Sequence, residues 1–428
     1  MAPRPADPAD QAVVPAHDSG ERPHTRVAVD GRRAERWAST MSGHRRSGDA
    51  PLRHAHDIPP ATLGRTPLHD RRAREDHEAA TLAPGATLAS GAGTRARPEP
   101  PHDLRTCFER DRDRILHRAT AFRRLAGKTQ VFIFPDDHQR TRLTHALEVA
   151  QVATAIAKAV GANVALTEAI ALGHDCGHGP GGHASEDAFG PYVEGGYDHA
   201  VWGADVVLEP LNLCIETLDG IRNHSWSRPS PSTPEGEIVS WADRIAYVCH
   251  DFEDAVLAGI VTPDMLPDLV TDACGTARGA QLSTFIDAMV DTIGAHGEVA
   301  MDAPTAEVLA EFRRFNYEHI YMRPASVRQS EAVIAMLRAL VEFFADRPNS
   351  MPIETGIIDP GSSTSAAGPA LRSIAPTGSR PPRQAGGAAA VRAAVTYVAG
   401  MTDRYAVRSA VTHLGWDRHA IPAGVDIG

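Results

Sequence analysis

Residues 237–259, EIVSWADRIAYVCHDFEDAVLAG, constrain the fold more than any other stretch of the chain. The run has a helical period and is apolar nearly all round, the pattern of a helix with neighbours on most sides. Yet Asp243, Tyr247, Asp251 and Asp254 recur on it at helical spacing, so they form one polar stripe along an otherwise buried rod. A buried carboxylate needs a cation or dense hydrogen bonding. Asp243 is therefore the candidate partner for the histidines that lie upstream.

Those histidines concentrate in residues 174–186, HDCGHGPGGHASE. His174 and Asp175 are adjacent at the end of a predicted helix. His178, His183 and Glu186 follow among Gly177, Gly179, Pro180, Gly181 and Gly182, which keep the stretch from being regular helix. A single histidine here would more simply cap a turn, but this density of ligand-type residues beside close-approach glycines points to a site. His145 sits in the first turn of a helix predicted over 142–160, which stops at Gly161. His145, His174, Asp175 and Asp243 make two imidazoles and two carboxylates drawn from three helices. Without a thiolate, that set suits Mn, Fe, Co, Ni, Zn or a tolerated Mg, and leaves room on the ion for water and a substrate oxygen. His183 and Glu186 are three apart, so the carboxylate can orient the imidazole for proton transfer.

Further helices are predicted over 106–125, 211–224, 306–319, 325–346 and the C-terminal stretch from 389, with a short strand over 128–134 (KTQVFIF). Helix dominates and strands are few, so the fold class is all-α. Residues 1–100 are rich in Pro, Ala, Arg, His and Asp and are expected to be a disordered extension. The core is expected over 101–350, a Gly/Pro/Ser-rich linker or insertion over 353–386, and a C-terminal helical part of the core over 387–428. The five cysteines are widely spaced without a CxxC pair and read as small buried hydrophobes. A net charge of −11 argues against general nucleic-acid binding. The arginines clustered between Arg105 and Arg142 form a local exception, a few of which could meet a small polyanion. No apolar run reaches the roughly 20 residues of a membrane helix, and no signal segment is evident, so a cytoplasmic location is expected.

The order His145, His174-Asp175, Asp243 resembles the H…HD…D pattern of HD-domain metal-dependent phosphohydrolases. More narrowly, RDRDRILHRATAFRRLAGKTQVF, TRLTHALEVAQVA, HDCGHGPGGHASE, LNLCIETLDGI, WADRIAYVCHDFEDA and YVAGMTDRYA resemble, in order, the deoxyguanosine triphosphate triphosphohydrolase-like family. The resemblance covers roughly residues 105–350 and the last forty or so. It implies hydrolysis of deoxynucleoside triphosphates (dNTPs) at the α-phosphate to deoxynucleoside and tripolyphosphate. It further implies metal ligation by His145, His174, Asp175 and Asp243, with catalysis by His183 and Glu186 and with His178 on the phosphate side. Gln130, Tyr247 and Asp251 match positions that sense the deoxyribose, and Arg142 and Arg244 match positions that meet the phosphates. His199 matches a histidine after the Gly195-Gly196 turn. Homo-oligomers are common among such relatives, so one is expected here. Two departures stand out: Cys176 and Gly181 replace a leucine and a phenylalanine, which implies a looser pocket wall, and Ala200 replaces an asparagine after His199. Two other readings are open, an HD phosphohydrolase acting on nucleoside monophosphates or guanosine tetraphosphate, and a dNTP-binding regulator with little turnover.

Overall fold

The computed structural model describes residues 31–41, 43–44, 52–56, 62–131, 139–352, 384–419 and 421. It divides into two units, Met1–Leu68 and His69–Gly428. The first carries helix α1 (Gly31–Thr40) and an isolated antiparallel bridge between His44 and His54. All further elements belong to the second. They begin with α2 (Arg71–Thr81), α3 (Cys107–Arg118), α4 (Thr120–Arg124), α5 (Arg142–Val160) and α6 (Val164–Gly173). Next come α7 (Ala184–Phe189), α8 (His199–Trp202), α9 (Ile215–Asn223), α10 (Pro234–Leu257) and α11 (Asp268–Cys274). The chain then forms α12 (Arg278–His296), α13 (Ala303–Asn316), α14 (Pro324–Asp346), α15 (Ala388–Ala399) and α16 (Asp403–Leu414). The all-α expectation holds. Pairing between extended segments is confined, among the described residues, to isolated bridges.

The expected central helix is α10, which packs against α5, α6, α9, α12 and α13. It starts earlier than its apolar period suggests. Pro234 occupies the first helical turn, where its missing N–H is no loss, and the Thr233 hydroxyl accepts from Gly236 N at 3.1 Å. Helix α5 matches its expected span and ends at Gly161, whose φ of +73° is the left-handed conformation glycine tolerates. Asn163 caps α6 by accepting from Ala165 N and Leu166 N. One hydrophobic core gathers around these helices and α3. A second joins α7, α14, α15 and α16 through Phe189, Leu337, Phe344, Val395 and Ala406. The two cores flank the cavity described below.

Two expectations change, and a third falls outside the described residues. Residues 128–134 form no strand in their described part: Thr129 makes a single bridge to Thr141, and residues 132–138 lie outside the described residues. The insertion expected at 353–386 likewise lies outside them up to residue 383. Residues 70–100 are not a loose extension, since α2 and the loop after it are built onto the core. Arg95 is buried between Asp111, at 2.6 Å, and Glu99, at 2.9 Å. The Glu235 carboxylate accepts from Thr87 N, Thr87 Oγ1 and Asn163 N at 2.7–3.0 Å. Ion pairs and charge-assisted hydrogen bonds fix this segment rather than apolar burial, so its low aliphatic content misled.

Candidate active site

Helix α6 delivers His174 and Asp175 at its C-terminal end. The His174 Nδ1–H donates to the Ala171 carbonyl at 2.6 Å, which fixes the ring and turns Nε2 inward, where it is buried without a hydrogen-bond partner. The chain then turns tightly past Gly177, where a Cβ would stand 2.0 Å from the His199 carbonyl oxygen. Only glycine lets α8 approach this closely. From the first turn of α5, His145 Nε2 reaches Asp243 Oδ1 on α10 at 3.0 Å. His174 Nε2 lies 3.4 Å from Asp175 Oδ1 and 3.7 Å from Asp243 Oδ1. Three of the four expected ligands, His145, His174 and Asp243, thus form one cluster with donor atoms within 4.8 Å of one another, while Asp175 clusters with His174 and His224 beside it.

These residues fit a divalent cation. Donor atoms on neighbouring corners of an ion with bonds of about 2.1 Å lie roughly 3.0–3.5 Å apart, depending on geometry, close to the separations seen here. The orphaned His174 Nε2 points at the same place. Asp175 and Asp243 flank the same buried His174 ring, a setting that calls for positive charge. Burial opposes ionisation of Asp243, yet the His145 hydrogen bond and the nearby His174 ring hold its carboxyl well below the usual range. Asp175 is held low in the same way, against burial, by Arg142 and His174.

A second cluster adjoins the first. His178 Nε2 is 3.2 Å from Asp175 Oδ1, and its ring stacks on His199 at 3.7 Å. Sequence spacing pairs Glu186 with His183, but the closer partner is His199. Its Nδ1 lies 2.5 Å from Glu186 Oε1 and its backbone N–H donates to the same oxygen, whereas His183 Nδ1 is 3.6 Å from Oε2. Glu186 thus stands between two imidazoles. Burial works against a charge on both members of the pair, yet Glu186 is held far below the carboxylate range and His199 is raised by Glu186. His178 is driven well down by burial and by the Arg142 and His199 charges, so a neutral ring stacks on a more basic one.

Both clusters open on a cavity of about 360 Å³. Of the thirteen candidate site residues all but His174 and Glu186 line it, whereas Asp254, the last of the α10 stripe, pairs with Arg140 instead. Tyr247 and Asp251 follow Asp243 along α10 at successive turns. The Tyr321 hydroxyl donates to Asp251 Oδ2 at 2.6 Å, while Asp251 Oδ1 is buried without a partner. Arg313 Nε donates to the Tyr247 hydroxyl at 2.7 Å. Gln130 Oε1 is also buried and unpartnered. Arg142, expected at the phosphates, is instead buried with Nη1 on Asp175 Oδ2 at 2.7 Å. Arg244 and Arg313 make no ion pair among the described residues, so their charges remain available to a ligand.

Residues 142–248 match the HD domain family, a span containing all four metal-type residues. A "Deoxyguanosinetriphosphate triphosphohydrolase-like protein" of Caldanaerobacter subterraneus is 39% identical over 345 residues, covering 79% of this chain and 93% of the relative. Proteins of the same name from Desulfatibacillum aliphaticivorans and Ralstonia pickettii are 38% and 32% identical. The first alignment covers 63% of this chain and 82% of the relative, the second 76% and 93%. The chain belongs to the deoxyguanosinetriphosphate triphosphohydrolase-like family of HD-domain proteins. It is a phosphohydrolase of this metal-dependent class. No helix among the described residues is long and apolar enough to cross a membrane.

Several residues of this family member's cavity carry no local sequence signal. His224 ends α9 as His174 ends α6: Nδ1 donates to the Ile221 carbonyl at 2.8 Å, and Nε2 lies 3.2 Å from His199 Nε2. The one clue is a histidine directly after a helix. Burial lowers it to about 4. Arg313 and Tyr321 come singly from a distant amphipathic segment. Asp403, at the start of α16, accepts from Thr129 N at 2.7 Å and Gly181 N at 2.8 Å. Lys128 Nζ donates to the His178 and Ala399 carbonyls. The C-terminal helices thereby hold the loops that carry Gln130, His178 and His183. Asp403→Ala is expected to lower kcat/KM by about 10²-fold through misplacement of these loops. Metal-induced stabilisation should persist, as calorimetric scans with and without Mn would show.

Burial pushes the Asp251 carboxyl up to about 7, against the Tyr321 hydrogen bond, which lowers it. The folded value exceeds the unfolded one of about 3.9, so the protonated form contributes stability that is complete below that pH. This contribution is lost as pH rises through about 7. In metal-free protein, Asp251→Asn should therefore flatten the fall of Tm between about pH 4 and 7 relative to wild type. An unchanged profile would contradict the assignment.

Proposed function

We propose that the protein hydrolyses deoxynucleoside triphosphates to deoxynucleoside and tripolyphosphate, using a divalent ion held by His145, His174, Asp175 and Asp243. One observation carries this reading. A single cavity joins the His/Asp cluster to two guanidiniums without carboxylate partners, Arg244 and Arg313, and to the orphaned Asp251 Oδ1. Unpaired cations in a half-enclosed cavity suit a polyanion. A buried carboxylate oxygen lacking a donor suits a sugar hydroxyl, assigned here to the 3′ position.

A bound ion supplies charge neutralisation at the phosphoryl oxygens and acidifies water. Arg244 and Arg313 hold the phosphates, while Arg142 keeps Asp175 ionised and oriented. The Tyr247 ring, anchored through its hydroxyl by Arg313, closes the sugar face, leaving little room for a 2′-hydroxyl, and Gln130 contacts the sugar edge. Water attacks the α-phosphorus, the bond from phosphorus to the 5′-oxygen breaks, and that oxygen receives a proton. His183, whose side chain is 74% exposed at the cavity, carries the proton, with Glu186 holding it in line and His199 setting the charge of Glu186. His178 screens the phosphate side of Asp175.

Chromatography of products from a panel of dNTPs, NTPs, monophosphates and guanosine tetraphosphate, each with Mn, tests the reading. The expected result is deoxynucleoside and tripolyphosphate from dNTPs, with ribonucleotides poorly used. Turnover confined to monophosphates or guanosine tetraphosphate, or stabilisation by dNTPs without turnover, would overturn it.

A further inference from the structure

Trp226 lies in the loop between α9 and α10, and neither the HD pattern nor the catalytic clusters accounts for it. The residue is 46% exposed, unusual for so large an apolar side chain. The Arg244 guanidinium carbon stands 3.4 Å above the ring centroid, and Arg244 Nε is buried without a hydrogen-bond partner. The ring itself is held firmly. Its Nε1–H donates to the Ser240 carbonyl at 3.3 Å, one turn before Arg244 on α10, and Trp241 meets it edge-to-face at 4.7 Å.

The loop is pinned at both ends. Asp219 Oδ2 accepts from Ser232 N and Oγ at 2.7 Å each, Ser230 Oγ donates to Glu237 at 2.9 Å, and the Ser240 hydroxyl donates to the His224 carbonyl. Pro229 and Pro231 stiffen what remains. An arginine without an acid partner would otherwise sample many rotamers and lose more entropy on meeting an anion. Flat contact with an indole removes that freedom without neutralising the charge, which a carboxylate partner would do.

We propose that Trp226 is a positioning residue, its indole face holding the Arg244 guanidinium extended in the cavity to receive the phosphate end of the substrate. The proposal rests on the phosphate-binding reading of Arg244 given above. It also explains why an arginine serves here, since its planar group stacks on a ring as an ammonium cannot. The ring face covered by Arg244 is not available to a nucleobase.

The test combines steady-state kinetics on a dNTP with calorimetric binding of inorganic triphosphate, using Trp226→Leu, Trp226→Phe, Arg244→Ala and Trp226→Leu/Arg244→Ala. Trp226→Leu is expected to raise KM and to weaken triphosphate binding by about tenfold, with kcat nearly unchanged. Trp226→Phe should restore most of the loss, and adding Trp226→Leu to Arg244→Ala should cost nothing further. Wild-type triphosphate affinity in Trp226→Leu, or a full tenfold loss added to Arg244→Ala, would overturn the proposal. So would absence of triphosphate binding by the wild type. Trp226-dependent triphosphate binding by a protein that hydrolyses no dNTP would support the proposal while sinking the functional reading. Normal dNTP hydrolysis by Trp226→Leu with unchanged KM would do the reverse.

Discussion

Asp243→Ala is expected to reduce hydrolysis by at least about 10³-fold, the scale of losing an electrostatic element that acts on developing phosphoryl charge. The argument is local. Asp243 Oδ1 is the atom shared between His145 Nε2, at 3.0 Å, and His174 Nε2, at 3.7 Å, so its removal breaks the donor set at its centre. The substitution also takes away the carboxylate that His145 meets and that keeps its charge against burial, so the metal-free variant is expected to melt below wild type as well. The distinguishing readout is linkage. In wild type, metal at one hundred times its Kd should add about 2.7 kcal/mol and raise Tm, and in the variant this increment should vanish. A variant that keeps the Mn-dependent rise would place the ion elsewhere.

Glu186→Gln is the second large effect, a loss of about 10²- to 10⁴-fold in kcat with KM and metal-induced stabilisation retained. Glutamine keeps the size of the side chain but removes the charge that His199 Nδ1 meets at 2.5 Å and that His183 approaches at 3.6 Å. His183→Ala should fall within a few-fold of it, and the double variant should be little worse, because groups acting as one unit lose their function once. Additive losses would mean that Glu186 serves His199 alone, and an active Glu186→Gln enzyme would remove the carboxylate from proton transfer.

The metal-type residues were legible because each sits where one-dimensional pattern speaks: His145 beside a cap, His174-Asp175 before a glycine-rich break, Asp243 on an apolar helix whose polar stripe needs a partner. The start of α10 was not, because Pro234 reads as loop punctuation although the same residue suits a first helical turn. The i,i+3 rule named His183 for Glu186, but the closer ring, His199, arrives through the tight packing of α8 on Gly177, a tertiary event. His224, Arg313 and Tyr321 are single contributions from separate segments, with no spacing to betray them. Residues 70–100 were misread for another reason. Arg95 and Glu235 hold that segment through partners far apart in sequence, which composition cannot register.

Hydrolysis of a dNTP in heavy-oxygen water tests the central claim most directly, because attack at the α-phosphorus fixes where the label goes. The expected result is one labelled oxygen in the tripolyphosphate and none in the deoxynucleoside, with turnover stopped by chelator and restored by Mn. Label in pyrophosphate or monophosphate, label in the 5′-hydroxyl, or turnover indifferent to chelator would contradict it.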